Sequence, residues 1–184
     1  VTLVAILDAD GGLFSADFRG PERMAQMITQ VAGRAGRAEK PGQVIIQTHM
    51  AEHPLLIELT ERGYPAIAER ELAERAIAQL PPYRFMALLR AEANHARAAE
   101  DFLEAALEQA EALVAQHQLA DIDLLGPVPS PMERRAGRHR AQLLLQAAQR
   151  SALHQLVHML LPALEQHPLA RKVRWSIDID PLDM

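Results

Sequence analysis

The sequence predicts an α/β protein, and three observations support this class. Two apolar, β-rich runs, VTLVAIL at residues 1–7 and QVIIQT at residues 43–48, flank a stretch whose apolar residues recur at helical spacing. In the second half of the chain, strand and helix patterns follow one another in the order β-α-β-β-α-β. The 184 residues are 49% hydrophobic and 23% charged, which is ordinary for a globular protein.

Composition excludes several classes of protein. The chain has no cysteine, so these residues form neither disulfides nor cysteine-ligated zinc sites. No apolar run approaches the length of a membrane span, and no basic-then-apolar leader opens the sequence, so we expect a cytoplasmic protein without a membrane partner. The formal net charge of −5 argues against a uniformly basic, nucleic-acid-coating surface.

The first strand, predicted over Val1 to Leu7, is typical of a central strand of a parallel sheet, buried on both faces. It begins at residue 1 without an initiator methionine, so we expect a piece of a longer protein whose earlier strands lie upstream. Asp8 and Asp10 follow the strand at its carboxyl end, where open α/β sheets place their ligand crevices. A plain turn is the alternative, since aspartate and glycine are both turn formers.

A helix is predicted to begin at Pro21 and Glu22, with a buried stripe of four apolar residues, Met24, Met27, Ile28 and Val31. It leads into QVAGRAGR, residues 30–37. If the helix continues, Gln30, Arg34 and Arg37 project from one side, and Gly33 and Gly36 leave the backbone accessible. Two guanidinium groups beside bare backbone suit a phosphate. Solvated arginines at a glycine-rich helix end are the alternative.

Between the two halves, residues 54–79 predict a connecting pair of helices broken at Gly63-Tyr64-Pro65. Leu80-Pro81-Pro82-Tyr83 marks a boundary because consecutive prolines do not continue a helix. His49 and His53 stand four residues apart without an evident third ligand, so we expect no metal there. The predicted parts are residues 1–50, 51–81 and 82–184.

The last part predicts six elements. These are a strand over Phe85–Glu92, a helix over His95–His117, a strand over Ile122–Gly126, a strand over Arg140–Ala147, a helix capped by Ser151, and a strand over Val173–Ile179. The inward-facing residues predicted for the second helix are Leu153, Leu156, Val157, Leu160, Leu161 and Leu164. This order is that of the split-βαβ or ferredoxin-like fold, in which both helices pack on one face of the sheet and the other face is open.

Charge is segregated within this part. Residues 92–123 carry eight acids and one arginine, a net charge of −7, whereas residues 124–177 carry eight bases and two acids, a net charge of +6. Four arginines, Arg134, Arg135, Arg138 and Arg140, fall in a predicted loop after a proline-rich turn. They could bind a DNA backbone through salt-sensitive contacts. A mobile, solvated loop is the alternative.

Several motifs carry a resemblance to a known family. QVAGRAGR matches the sixth conserved motif, Q-x-x-G-R-x-G-R, of superfamily-2 helicases. DADGGLFSADFRGPERMAQMITQ and VIIQTHMAEHPLL on either side, then LPPY, LLGPVPSP, RAGRHR and RKVRWSIDIDP, are similar to the primosomal protein N-prime family of bacterial replication-restart helicases. The resemblance covers the whole chain.

This resemblance implies the end of a second, RecA-like helicase lobe followed by the family's C-terminal domain. It assigns Arg34 and Arg37 to the γ-phosphate of ATP, with Arg37 as the arginine finger, beside Gln30, Gly33 and Gly36. No G-x-x-x-x-G-K-[S/T] loop is present, so ATP and magnesium would be bound mainly by an upstream lobe. The family's zinc cysteines are absent as well. We therefore expect 3'–5' DNA unwinding of the full-length protein and no ATP hydrolysis by this chain alone.

The resemblance also implies partners. They are branched and single-stranded DNA, other primosome proteins, and the acidic tail of the single-stranded-DNA-binding protein, to which it assigns Arg150 and, at a less well matched position, His154. The rival interpretations are a stand-alone nucleic-acid or protein binding module without nucleotide chemistry, and a structural adaptor. A native reading frame with a phosphate-binding loop upstream would favour the helicase.

Overall fold

The computed structural model describes residues 2–15, 17–37 and 40–182, with the backbone alone described at residues 36, 37, 40 and 41. The chain divides into two compact units, Val1–Ile77 and Ala78–Met184. The elements of the first unit are β1 (Leu3–Ile6), α1 (Asp10–Leu13), α2 (Gly20–Ala32), β2 (Gly36–Arg37), β3 (Lys40–Pro41), β4 (Gln43–Ile46), α3 (Pro54–Arg62) and α4 (Tyr64–Ala78).

A parallel pair of strands supports the first unit. β1 pairs with β4 in parallel, from Leu3 opposite Gln43 to Ile6 opposite Ile46. The crossover between them contains α2, which begins as predicted with a proline in its first turn followed by Glu22. The two strands and the helix between them are therefore confirmed.

The prediction that β1 is buried on both faces is wrong. Leu3 is 51% exposed and Leu7 is 73% exposed, whereas Ile6 is buried. The physical reason is that, in the described part of the chain, β1 has β4 as its single partner, and the helices cover one side of this pair. Met27 was also placed wrongly, because it is 45% exposed while Met24 and Ile28 of the same helix are buried.

The predicted helical pair is confirmed as α3 and α4. Gly63 separates them with a φ of 77°, a left-handed conformation that glycine adopts without strain. The two helices contribute to the same core as α2, through Leu55, Leu56, Leu59 and Ile67. The helices following β4 thus pack with the elements before them, and the three-part division of the chain stays a prediction.

The second unit is an α/β sandwich of one sheet and two long helices. Its elements are β5 (Phe85–Ala93), α5 (Ala96–His117), β6 (Ile122–Arg135), β7 (Arg138–Ala147), α6 (Arg150–Gln166), a short 3-10 helix (Pro168–Arg171) and β8 (Arg174–Ile179). The sheet order is β6-β7-β5-β8, and all neighbouring strands are antiparallel. This is the ferredoxin-like arrangement that the element order predicted.

The core of the second unit lies between the sheet and the helices. Alternate residues of β5 and β7, such as Leu89 and Leu143, pack against Phe102 of α5 and Leu156 of α6. The opposite sheet face was predicted to be open, and this is only partly correct. Met86 and Leu88 point to that face by alternation and are both 1% exposed.

The predicted basic loop is not a loop. β6 continues through the proline-rich segment to Arg135, and β7 begins at Arg138 rather than at Arg140. Ala136 and Gly137, with φ of 50° and 79°, form the two-residue turn that joins them as a hairpin. Prolines are tolerated because β6 is an edge strand, and the pairing shifts register between Leu125 and Val128.

The start of α6 also differs from the prediction. The residue that caps it is Gln149, without a side-chain hydrogen bond, so Ser151 is not the cap and Arg150 occupies the first helical position. Leu161 is 37% exposed and is therefore not one of the inward-facing residues of this helix. Among the described residues, no helix is both long enough and apolar enough to cross a membrane.

Candidate functional site

The motif at residues 30–37 is divided between a helix end, a turn and a short strand. Helix α2 ends at Ala32, and Arg34 donates its backbone N–H to the carbonyl of Val31 at 3.0 Å. Gly36 and Arg37 then pair with Pro41 and Lys40 as the antiparallel strands β2 and β3. The prediction that one helix presents Gln30, Arg34 and Arg37 is therefore wrong, because the chain leaves the helix before the second arginine.

Gln30 and Arg34 are both exposed at this helix end. Within the described part of the chain, neither side chain has a hydrogen bond or an ion pair. Gln26, one turn earlier, is engaged instead, donating to Glu22 at 3.1 Å and to the Tyr64 hydroxyl at 2.9 Å. The side chain of Arg37 lies outside the described part. A ligand could therefore bind Gln30 and Arg34 without breaking a side-chain hydrogen bond or ion pair among the described residues.

The backbone conformation at residue 33 does not require a glycine. Its φ of −63° suits any residue, and a Cβ added there would lie 3.5 Å from the carbonyl oxygen of Thr29, an ordinary contact. Space for a side chain is therefore present but unused. A glycine at this position leaves the peptide of a helix end open to close approach, in agreement with the predicted role of phosphate contact. The surroundings of Gly36 lie outside the described residues.

Asp8 and Asp10, which follow β1, accept hydrogen bonds within the fold. Asp10 accepts hydrogen bonds from the Thr48 hydroxyl and from the backbone N–H of His49 at 3.0 Å, and these two bonds, the first above all, lower the pKa of its carboxyl. Asp8 accepts from the N–H of Gly11 at 3.3 Å. Since Thr48 and His49 follow β4, Asp10 ties together the carboxyl ends of the two parallel strands. The turn interpretation accounts for Asp8, whereas Asp10 lies in α1 and accepts hydrogen bonds from the segment after β4.

His53, which follows β4, has a structural role. Nδ1 of His53 accepts from the N–H of Leu55 at 3.3 Å and so caps α3. Across the described residues, no group of three or more His, Asp or Glu side chains is placed to hold a metal ion.

The hairpin divides its four arginines between the two faces of the sheet. Arg135 pairs directly with Arg138, and Arg140 lies two residues further on β7, so these three share one face. Arg134 pairs with His139 on the other face. The structure thus brings three of the predicted DNA-binding residues together and separates the fourth.

A carboxylate lies among these arginines on the same sheet face. Glu92 of β5 lies opposite Arg140 on β7 and opposite Arg174 on β8. Its carboxylate is 3.9 Å from Arg138 and 3.8 Å from Arg174, too far for hydrogen bonds. Arg140 donates weakly to the carbonyl of Met132 at 3.4 Å. Arg134 and Arg135 are exposed, and neither side chain has a hydrogen bond or an ion pair in the part of the chain that is described.

Arg171, Lys172 and Arg174 lie beside this hairpin. The sequence motifs did not assign these three basic residues to a site. We define the basic cleft by six of its lining residues: Asn94, His95, Arg138, Arg171, Lys172 and Arg174. Residues 171–174 are distant in sequence from the hairpin, and the sheet order brings them together with Arg138. The net charge of residues 124–177 and the motif RKVRWSIDIDP were the sequence signals that could have pointed to them.

Arg150 is held by two contacts. Its guanidinium lies 3.2 Å from the carboxylate of Asp180 and stacks over the ring of Phe85, 4.9 Å from the centroid. His154 is exposed one helical turn further on and lines an apolar cleft with Val157, Leu161 and Ile179. The two predicted partner-binding residues are therefore neighbours on α6, beside apolar surface.

Comparison with known proteins places this chain among longer bacterial proteins. It is 43% identical over 185 aligned residues to the Replication restart protein PriA of Haemophilus influenzae, 35% to that of Synechocystis, and 37% to that of Bacillus subtilis. Each alignment covers 100% of this chain but 24%, 21% and 22% of the respective relative, so the chain spans less than a quarter of their length.

Solved structures give a weaker likeness. A dimeric ferredoxin-like protein from an uncultured marine organism aligns with a TM-score of 0.38 and 13% identity, covering 55% of this chain and 98% of that one. This score is too low to support an argument, and the fold assignment rests on the strand order.

The family described as Primosomal protein N C-terminal domain matches residues 76–182. The match covers the second unit with its sheet, both long helices, the hairpin and the basic cleft. The chain therefore belongs to the primosomal protein N C-terminal domain family.

Proposed function

We propose that this chain is the C-terminal part of an ATP-dependent DNA helicase that recognises stalled or repaired replication forks and restarts replication by primosome assembly. The name of the aligned relatives, Replication restart protein, supports the biological role. The first unit would be the end of a second RecA-like lobe, in agreement with its parallel strand pair and crossover helix. The observation that carries the proposal is the exposed, unengaged pair Gln30 and Arg34 in the described part of QVAGRAGR.

Gln30, Arg34 and Arg37 would contact the phosphates of ATP held mainly, with magnesium, by an upstream lobe. Their fit rests on the exposed guanidinium of Arg34 and on the open space at Gly33. ATP supplies the phosphoryl group whose transfer to water drives movement along DNA. Arginine suits this position because its planar fork reaches two oxygens at once. Gly36 would keep the backbone near Arg37 accessible, and zinc would be bound elsewhere in the full-length protein.

Arg135, Arg138 and Arg140 would bind the backbone of branched or single-stranded DNA on one face of the hairpin. Arg134, on the other face, would contact DNA only where the strand passes around the hairpin tip. A hairpin presents these cations at fixed spacing, so less conformational entropy is lost on binding than with a mobile loop. Phosphate contacts of this kind position the protein without reading sequence.

Arg150 and His154 would receive the acidic tail of the single-stranded-DNA-binding protein. Arg150 stands in the first turn of α6, where free N–H groups already favour an anion. Stacking on Phe85 orients its guanidinium, and the apolar cleft beside His154 could accept an apolar peptide side chain. Other primosome proteins would bind the same full-length assembly.

Unwinding of a forked DNA substrate by the full-length protein tests the proposal. With ATP, we expect 3'–5' strand separation that Arg34→Ala reduces strongly, while DNA binding in the absence of nucleotide is unchanged. Arg62→Ala is the matched control, since Arg62 is an exposed arginine of the first unit, paired with Glu58 at 3.0 Å. Intact DNA binding combined with no ATP-dependent unwinding by the unaltered protein would instead support a stand-alone binding module.

A further inference from the structure

We propose that the basic cleft is a second DNA-backbone site, in which Arg171, Lys172 and Arg174 bind phosphate groups together with Arg138. This inference rests on the proposed DNA-binding function and adds residues that the hairpin motif does not contain. The ligand class is the phosphodiester backbone of a nucleic acid.

The cleft is built by three neighbouring strands and the segments that follow or precede them. Asn94 and His95 follow β5, and Arg138 begins β7. Arg171 ends the 3-10 helix, and Lys172 follows it before β8 begins at Arg174. Because β5 lies between β7 and β8 in the sheet, the start of β7, the end of β5 and the start of β8 meet at one end. Antiparallel pairing thus gathers cations that are more than thirty residues apart in sequence.

The charge of the cleft is poorly compensated within the described chain. Four cations, Arg138, Arg171, Lys172 and Arg174, face one nearby carboxylate, that of Glu92. Arg171 and Lys172 are exposed and have no ion pair among the described residues. Glu92 contacts Arg138 and Arg174 only at 3.9 and 3.8 Å. A phosphate could therefore approach these groups without displacing a close ion pair.

The shape of the charged surface favours an extended polyanion over a small one. Arg174 lines the basic cleft and also a second concavity, with Arg90, Arg140 and Glu92, on the sheet face that carries Arg138. The positive surface therefore runs from Arg171 across the sheet end towards the hairpin. A nucleic-acid backbone repeats its charges along such a path, and neutralising several of them releases counterions.

Salt dependence of DNA binding by the full-length protein tests this site. The variant is Arg171→Gln with Lys172→Gln, both exposed, so little effect on folding is expected. The control is Arg23→Gln with Arg62→Gln, which removes the same charge from side chains of the first unit that are 44% and 66% exposed, far from the cleft in sequence. We expect the slope of log K against log salt to decrease by about 1 to 2 for the cleft variant, at roughly 0.9 per lost phosphate contact. The control should keep the parental slope.

A second pair of variants separates the failure of this inference from that of the proposed function. If Arg134→Gln with Arg135→Gln lowers the slope but the cleft variant does not, DNA binds the hairpin and the cleft site is wrong. If neither changes the slope, the proposal that this unit binds DNA is itself wrong. Fluorescent poly-glutamate is measured in parallel. Loss of its binding alone in the cleft variant would identify an acidic polypeptide as the ligand and overturn the nucleic-acid assignment.

Discussion

Arg34 in the first unit and the arginines around Glu92 in the second unit are held in different ways. Arg34 follows a helix end and its side chain has no partner among the described residues, whereas Arg138 and Arg174 stand on paired strands around Glu92. Arg150 is held still more firmly, by Asp180 and Phe85. Removing Arg34 should therefore change ligand binding alone, while removing Arg138, Arg150 or Arg174 also alters contacts within the fold.

The largest effect is expected at the motif of the first unit. Arg37→Ala in the full-length protein should reduce ATP hydrolysis by roughly a thousandfold, because an arginine finger stabilises charge on the transferring phosphoryl group. Single-turnover hydrolysis measures this directly. Arg37→Lys should restore little activity, since lysine keeps the charge but loses the planar fork.

Affinity for DNA without nucleotide is the control for this variant and should stay near that of the parent. Unchanged single-turnover hydrolysis in Arg37→Ala would remove the role of arginine finger. If hydrolysis and nucleotide-free DNA binding decreased together, the substitution would have disturbed the fold rather than the phosphate contact.

Substitution of one glycine in each unit compares how strongly the two backbones depend on glycine. Gly126 in the second unit has a φ of 116°, and a Cβ there would meet the carbonyl oxygen of Gln142 at 3.0 Å. Gly126→Ala should therefore lower the free energy of unfolding by about 1–3 kcal/mol. Gly33→Ala should leave it unchanged or raise it by up to about 1 kcal/mol, because its φ of −63° is ordinary and space is available.

Urea unfolding measures both glycine variants, and ATP hydrolysis distinguishes their causes. If Gly33 serves close approach of a phosphate, Gly33→Ala should reduce hydrolysis without a loss of stability. A stable Gly33→Ala protein with parental hydrolysis would show that this glycine has no part in ligand approach.

A smaller effect on peptide binding is expected at Arg150, because its guanidinium already pairs with the carboxylate of Asp180. Asp180 competes with any acidic peptide for the guanidinium at 3.2 Å. Both side chains are about half exposed, and such pairs contribute roughly 0.2–1 kcal/mol. Asp180→Asn should therefore increase affinity for the acidic tail peptide by up to about fivefold, while Arg150→Glu should weaken it well beyond a simple salt effect.

Calorimetry of the tail peptide against the full-length variants measures this competition. His154→Ala should weaken binding modestly if the neighbouring apolar cleft takes part. Equal affinity in the parent, Asp180→Asn and Arg150→Glu would place the peptide site elsewhere.

The smallest effect, on the free energy of unfolding, is expected at Asp10, which joins the carboxyl ends of β1 and β4. Hydrogen bonds from Thr48 and His49 lower the pKa of Asp10 in the folded state, so the ionised carboxylate stabilises the fold above the usual aspartate range. This contribution is lost as pH falls through the lowered pKa. Asp10→Asn should thus reduce stability at pH 7 but have little effect at strongly acidic pH. Urea midpoints at the two pH values provide the measurement, and a pH-independent difference would contradict it.

Sequence periodicity determined most of the elements, because helices and strands repeat their buried positions every 3.6 and 2 residues. The parallel pair β1 and β4, helix α2, the pair α3 and α4, and the β-α-β-β-α-β order of the second unit were all predictable on this basis. Gln30, Arg34 and the hairpin arginines were predicted as site residues from local motifs or from the family resemblance. These elements and candidate residues depend on short segments of the chain, so they can be predicted from the sequence alone.

Tertiary structure alone decided how those segments meet. The prolines of β6 suggested a turn, yet the strand continues through them because it lies at the sheet edge, where an absent N–H costs no interior pairing. The sequence left open whether α2 continues through the motif or ends at its glycines, and the structure ends the helix at Ala32. The basic cleft depends on β5 lying between β7 and β8, a pairing between residues far apart in the chain. Local patterns fix what each segment forms, whereas the packing of distant segments fixes which charges become neighbours.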